Sequence, residues 1–329
     1  MTQKEQEFQD IYNNNGFKFS YSSLNRLNFS PKLFYKDYVL KDKEIRTDKH
    51  LIEGKLLHLL LLQPQQFDKH FILMPSKLPS DTLRKVLKNI TLYTDSTELS
   101  MVEDKIILDS LKEVGLYQSL KDEDKRVAKV RTTECEDYYA FSHNKGLDVI
   151  DASMFQKCKD NVEIVKANKS IIELLNPVVT DFELDDVETY SEKYLECEMD
   201  KFKFGMKGYV DKYIVDHKQK VITIIDLKTS GKSLVSFPET VEFYNYWLQA
   251  AIYSLLVMRN VDEKAKNYKI NFNFIVIDTY SQVYNFEVRQ DTLEMWVENM
   301  WTKLEAARFH LEAMKFDLPY DFLINKVML

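Results

Sequence analysis

V-I-T-I-I-D-L-K-T, residues 221–229, is a run of β-branched and apolar residues that closes by presenting an acid and a base two positions apart. Side chains alternate across a strand, so Asp226 and Lys228 share one face. A second short apolar run, residues 206–210, ends at Asp211 within G-Y-V-D. Two adjacent strand ends would then bring two carboxylates and one ammonium together. A lone D-x-K carries little weight, since about one such match arises by chance in a chain of this length. Its meaning depends on what the rest of the chain places beside it.

The chain has 329 residues, 45% of them hydrophobic and 29% charged, with 20 Phe and 19 Tyr. That is the composition of an ordinary globular protein with a real core. A net charge of −7 argues against a protein that coats nucleic acid by charge alone, but not against a local basic surface. The densest basic cluster, Lys125, Arg126, Lys129 and Arg131, has acids close by and reads as a solvated face. Cys135, Cys158 and Cys197 are odd in number and contain no C-x-x-C, which speaks against a disulfide framework or a four-cysteine cluster. The N-terminal M-T-Q-K-E-Q-E-F has no apolar signal region, and L-L-H-L-L-L-L is too short to span a bilayer. A soluble cytoplasmic protein with no membrane association is expected.

Residues 1–16 are polar and Asn-rich and read as a frayed, disordered tail. Ser caps precede helical spacing at Leu24, Leu27 and Phe34, with Ser30-Pro31 as a break and restart. A helix follows over 49–62, stopped by Pro64, and a charged helical insertion over 81–120. Residues 151–175 read as one amphipathic helix ended by Asn176-Pro177. Strands are expected over 188–198, 203–215 and 220–228, then a helix over 239–259 behind Pro238. A strand pair over 271–278 and 282–288 and a helix over 290–315 complete the chain. The fold class is α/β: a central mixed β-sheet flanked by helices. Residues 17–180 form a helical N-terminal portion and 181–329 the core, in one integrated catalytic domain.

Four features of context raise the D-x-K above chance. It closes a β-branched run, Asp211 ends the preceding strand, and Gln249 and Tyr253 stand at i, i+4 on the helix that follows. His58 lies in an earlier helix as G-K-L-L-H. Asp211 and Asp226 are hard oxygen ligands suited to Mg²⁺ or Mn²⁺, and the Leu227 carbonyl can add a further oxygen. Lys228 can orient an attacking water or balance charge on a phosphodiester, and His58 can complete the coordination. Gln249 and Tyr253 can contact a nucleic-acid backbone near the site. Each element also has a plain structural reading. Asp211 and Lys228 can form a sheet-edge salt bridge, His58 can be a hydrogen-bonded core residue, and Gln249 and Tyr253 ordinary polar groups of a helix. Glycine placement favours the site: Gly54, Gly205, Gly208 and Gly231, four of only seven, fall in or beside these motifs.

The order G-x-x-x-H, G-x-x-D, D-x-K-T, Q-x-x-x-Y resembles the PD-(D/E)XK nuclease superfamily. Within it, the chain is similar to the RecB/RecE-like branch that includes phage-type exodeoxyribonuclease VIII. S-x-S-x-L-N-x-L from Ser20, G-K-L-L-H-L-L-L-L-Q-P over 54–64 and Y-N-Y-W-L-Q-A-A-I-Y over 244–253 extend the similarity to about residues 20–290. The resemblance implies a restriction-endonuclease-like core, His58, Asp211 and Asp226 as metal ligands, and Lys228 as catalytic lysine. A further acid on the preceding strand is implied, with Glu192 the candidate and Glu196 and Glu198 as alternatives. It also implies a Mg²⁺-dependent exodeoxyribonuclease, with Mn²⁺ substituting, that acts on DNA in phage or prophage recombination or repair. A single-strand annealing protein as partner, a homo-oligomer, and the cytoplasm of a bacterium or phage-infected host belong to that setting. A structure-selective endonuclease using the same site, and an inactive DNA-binding or interaction module, are the competing readings.

D-L-K-T-S-G-K-S, residues 226–233, ends like a phosphate-binding loop. Asp226 holds the place of its first glycine, where an acid repels phosphate, and L-V-S-F-P offers no immediate helix. Nucleotide triphosphate binding is therefore not expected.

Overall fold

The computed structural model describes residues 2–44, 48–143, 146–177 and 186–324. Among these residues there are eight strands: β1 (Lys18–Phe19), β2 (Phe71–Leu73), β3 (Asp148–Ile150), β4 (Val187–Cys197), β5 (Gly205–Asp216), β6 (Val221–Thr229), β7 (Lys269–Ile277) and β8 (Val283–Val288). β1 and β4–β8 form one mixed sheet. β4–β5, β5–β6 and β7–β8 pair antiparallel, while β1–β5 and β6–β7 pair parallel. The parallel step from β6 to β7 needs a long crossover, supplied by the helices Phe237–Phe243 and Tyr246–Asn260. The core at the sheet includes Phe19, Phe34, Ile222, Ile224, Leu248 and Phe272, all buried. The expected mixed sheet flanked by helices is the observed one.

The pairing of β5 creates an opening. β4 runs along one edge of β5 from Val187↔Asp216 to Cys197↔Met206. A strand has two edges, so β6 and β1 share the other. β6 takes residues 212–216 and β1 takes Gly205 and Met206. Between them residues 207–211 of β5 have no ladder partner on that side. β6 meanwhile stays paired to β7 through Thr229↔Ile277. The two strands therefore part like a fork at Lys212↔Ile225, and Asp211 and Asp226 are the next residue on either prong. Both aspartates lie inside their strands, not at strand ends as the apolar runs suggested; it is the ladder that ends there.

Three local readings change. The first residues form a helix, Gln3–Asn13, rather than a frayed tail: Thr2 and Glu5 make a capping box, and Phe8 and Tyr12 are buried. The helix expected over 239–259 is broken at Asn245, whose φ of 58° is left-handed, a conformation asparagine tolerates. The stretch 151–175 is two helices, Ala152–Ala167 and Lys169–Leu175, because the Asn168 side chain accepts from the Ile171 amide and starts the second.

By its contacts the chain divides into residues 1–63 with 161–329, and Pro64–Asp160. The sequence reading instead placed one cut at 180–181, a point outside the described residues. The first unit holds the six-stranded sheet and every candidate site residue. The second has its own core, built from Val86, Leu87, Ile90, Ile107, Leu111 and Tyr139, and the short parallel pair β2–β3. The basic cluster lies in this second unit. Arg131 there donates to the carbonyls of Ser100 and Val102 at 2.7 Å each and to Asp104 at 2.6 Å, so it has a structural use.

Gly205 is required where β1 and β4 flank β5. A Cβ there would stand 2.5 Å from the Cys197 carbonyl oxygen, and backbone cannot swing aside. Gly205→Ala is expected to cost about 1–3 kcal/mol through overpacking. Urea unfolding of the variant beside the parent checks this.

Candidate active site

The helix Lys49–Leu62 packs against β5 and β6, and its Leu56 and Leu57 are buried. Gly54 faces β6, where a Cβ would make only ordinary van der Waals contact with Thr229 Oγ1 at 3.4 Å, so the approach does not depend on glycine. One turn further on, His58 enters the fork.

Backbone chemistry explains what His58 and Asp211 do there. The N–H and C=O of one strand residue point to the same side, and within an antiparallel ladder both are taken by the neighbouring strand. Beyond Ile225 that neighbour has left, so Leu227 has both groups free. Asp211 Oδ2 accepts the Leu227 amide at 2.8 Å, and His58 Nε2 lies 2.8 Å from the Leu227 carbonyl oxygen. With a carbonyl as partner, Nε2 carries the proton. Nδ1 is left to face Asp211 Oδ2 at 3.5 Å and Glu192 Oε1 at 3.7 Å. A ligating histidine commonly anchors its second nitrogen on a carbonyl in this way.

Glu192 reaches the cluster from β4. It stands in register opposite Asp211, between the pairs Ser191↔Lys212 and Lys193↔Val210. Its φ of 48° is left-handed, a conformation that costs a non-glycine residue about 1–3 kcal/mol. One ligand atom from each of His58, Glu192 and Asp211 falls within 4.8 Å of the others, close enough for one metal ion to be shared among them. Glu196 and Glu198, the alternatives to Glu192, instead pair with Lys18 at 2.7 and 3.0 Å.

Asp226 is wholly buried, with its Oδ2 2.5 Å from Lys228 Nζ. Apart from that ion pair the carboxylate has no partner, so its Oδ1 is buried without one. Lys228 Nζ also lies over the Tyr246 ring, 4.8 Å from its centroid. Burial pushes the Asp226 carboxyl up to about 6, against the pull of Lys228, and the nearby Asp211 charge adds to the rise. Asp211 is likewise raised, chiefly by burial, with His58 and Lys228 opposing. Burial works to deprotonate both bases but is outweighed: Asp211 and Glu192 raise His58, and Asp226 and Asp211 raise Lys228. The lysine is thus an ammonium, suited to stabilise negative charge and unsuited to act as a base.

The sequence-derived residues come together unevenly. His58, Asp211, Leu227, Asp226, Lys228 and Glu192 all meet at the fork, with Glu192 rather than Asp226 in the tightest cluster with His58. Leu227 O is occupied by His58 Nε2. Gln249 and Tyr253 are buried and joined to each other at 2.9 Å, so they are not exposed backbone contacts. They lie behind β5, where Gly208 makes room: a Cβ at that position would meet the Tyr253 ring at 3.3 Å. Gly231 borders open space and has no such use. A 3₁₀ turn, Leu234–Ser236, and a helix do follow the G-K-S loop, so Asp226 alone argues against a phosphate loop. Tyr246 was missed. Its only sequence signal is its place in the Y-N-Y-W-L-Q run, three residues before Gln249.

Fold and site together define an α/β protein whose carboxylates, histidine and lysine converge where two strands of a mixed sheet part. The chain belongs to the PD-(D/E)XK nuclease superfamily, whose family model matches residues 18–315. PD-(D/E)XK nucleases are hydrolytic nucleases that use divalent metals. Among solved structures, a Eubacterium rectale protein provisionally assigned as an exonuclease aligns with 100% of this chain and 94% of its own, at 12% identity and a TM-score of 0.47. The crystal structure of SSO0001 aligns with 75% of this chain and 95% of its own, at 13% identity and a TM-score of 0.24. No curated protein matches the chain. Among the described residues no helix is long and apolar enough to cross a membrane.

Proposed function

We propose that this protein is a Mg²⁺-dependent exodeoxyribonuclease of the RecB/RecE-like branch, with Mn²⁺ able to substitute. The observation that carries the reading is the His58–Glu192–Asp211 cluster beside the buried Asp226–Lys228 pair. The donor set fits the ion: carboxylate oxygens and one imidazole suit Mg²⁺ or Mn²⁺, and Asp226 Oδ1, buried without a partner, supplies an unused acceptor. His58, Asp211 and Asp226 are the proposed ligands, with Glu192 and the Leu227 carbonyl supporting them. Bound there, the ion supplies Lewis-acid stabilisation of a phosphate and activation of water.

The chain's own residues do the rest. Lys228, fixed between Asp226 and the Tyr246 ring, holds a positive charge where the attacking water and the pentavalent phosphate gather negative charge. Asp226 keeps that lysine protonated and aimed. Asp211, anchored on the Leu227 amide, and His58, anchored on the Leu227 carbonyl, are preorganised by the same residue. Gln249 and Tyr253 brace β5 from behind. The setting we propose is the cytoplasm of a bacterium or phage-infected host, in recombination or repair. There the product strands would pass to a single-strand annealing protein, and the nuclease would act as a homo-oligomer.

End-labelled linear DNA and covalently closed circles, each incubated with Mg²⁺, Mn²⁺ or EDTA, test the reading. Metal-dependent loss of the linear DNA with circles intact is expected. Degradation of circles would overturn exonuclease action in favour of an endonuclease, and metal-independent cleavage would overturn the site.

A further inference from the structure

Three aromatic rings lead from the protein surface to Lys228. Phe243 and Tyr244 are 76% and 50% exposed, a large apolar area to leave in water. Phe243 packs edge-on against Tyr244 at 4.9 Å, and Tyr244 stacks on Tyr246 at 5.6 Å with 27° between the planes. Tyr246 in turn carries the Lys228 ammonium on its face. The row is continuous with the site.

Its backbone is also fixed. Tyr21 OH and Asn25 Nδ2 both donate to the Tyr244 carbonyl, at 2.6 and 3.2 Å. Asn245, the left-handed residue that breaks the two helices, donates to Asn25 Oδ1 at 2.8 Å and accepts from the Trp247 indole at 3.1 Å. Asn245 thus separates the helix that ends at Phe243 from the one that begins at Tyr246, and sets the turn on which Tyr244 sits. A turn tied down from the helix Tyr21–Phe29 holds bare aromatic faces in place beside a charged centre.

Resting on the nuclease reading, we infer that Phe243 and Tyr244 form a stacking platform for the unpaired bases of a DNA strand entering or leaving the fork. The occupant follows from what the row adjoins. A phosphodiester placed at Lys228 brings its own bases with it, and every base has a π-face to set on an aromatic ring. The platform carries no charge of its own, so it reads bases and leaves phosphate to the lysine and the metal ligands.

Fluorescence anisotropy with a labelled single-stranded DNA oligomer and an abasic oligomer of equal length, in EDTA, tests this. Equal phosphate number cancels the electrostatic part of binding. The parent is expected to bind the base-bearing oligomer more tightly. Phe243→Ala/Tyr244→Ala is expected to lose about tenfold in affinity for it, the loss of a base–aromatic stack, and to bind the abasic oligomer unchanged. Tyr244→Phe should retain the parent's preference. Equal losses on both oligomers, or none, would overturn the platform; none is also what a protein partner at these rings would give. A parent that degrades DNA yet binds both oligomers alike overturns this inference alone. A parent that cleaves no DNA overturns the functional reading beneath it.

Discussion

Lys228→Met is expected to reduce DNA cleavage by about 10²–10³-fold, the usual loss when one charge-stabilising group leaves a preorganised site. The methionine keeps the stem against Tyr246 and removes only the charge. The substitution also strands Asp226, which is buried and has Lys228 as its ion-pair partner and no hydrogen-bond partner besides. Removing one member of a buried pair costs about 3–5 kcal/mol when the remaining charge cannot escape. Asp226 can escape by taking up a proton, since its carboxyl already sits at about 6 and loses its main opposing influence with the lysine. The variant should therefore be close to the parent in thermal stability at pH 5 and clearly weaker at pH 8. Asp226→Asn/Lys228→Met should recover stability at pH 8 without recovering cleavage. Cleavage that persists in the single variant would show that another group supplies the charge.

Without metal, the protein should lose stability as pH rises from 5 to 7.5, and Mg²⁺ should restore it increasingly across that range. The sign follows from the direction of the shifts. A carboxyl whose folded value lies above its unfolded one stabilises the fold fully below the unfolded value, about 3.9 for Asp, and that contribution is lost through the folded value. For Asp226 the loss is complete just above about 6, and Asp211 acts in the same sense. The raised His58 does too, its contribution being present below about 6.5 and lost as pH climbs through its folded value. Carboxyls held low, such as Glu188 and Asp291, work in the opposite direction, but they are ionised in both states above about pH 5. Buried His310, held below its ordinary value, also opposes the trend up to about pH 6.5, one group against the three at the site. Mg²⁺ competes with protons for the same oxygens, so its binding strengthens as they ionise. At a hundred times its Kd it would add about 2.7 kcal/mol. Melting curves at pH 5, 6 and 7.5, with Mg²⁺ and with EDTA, measure both trends. Asp226→Asn should flatten the decline in EDTA and blunt the response to Mg²⁺. A parent whose melting point in EDTA rises between pH 5 and 7.5 would contradict the buried, metal-ready carboxylates.

Much of the fold was legible because its signals are local. The β-branched run over 221–229, the helix from Lys49 to Leu62 and the Ser30-Pro31 restart each depend on residues a few positions apart. The misread stretches had competing local signals. Thr2 with Glu5 makes a cap that outweighs an Asn-rich composition, and Asn168 and Asn245 interrupt helices whose apolar spacing runs straight through them. The compact unit Pro64–Asp160 was harder still, because its core joins residues from separate helices and no composition break marks its ends.

The candidate site divides in the same way. The sequence by itself determined that Asp226 and Lys228 would meet, because alternate residues of one strand share a face whatever the strand packs against. It also supplied the ordered pattern of His58, Asp211, Gln249 and Tyr253 on which the resemblance to the superfamily was read. Only the tertiary structure decided where those groups lie. The β5–β6 ladder stops at Lys212↔Ile225 because β6 follows β7 instead, and this frees both backbone groups of Leu227 for Asp211 and His58. It set Glu192 in the cluster with His58, buried Gln249 and Tyr253, and brought the Tyr246 ring under the lysine. A strand's alternation is fixed within two residues. Where a ladder ends depends on every strand competing for that edge, and no short stretch of sequence contains that competition.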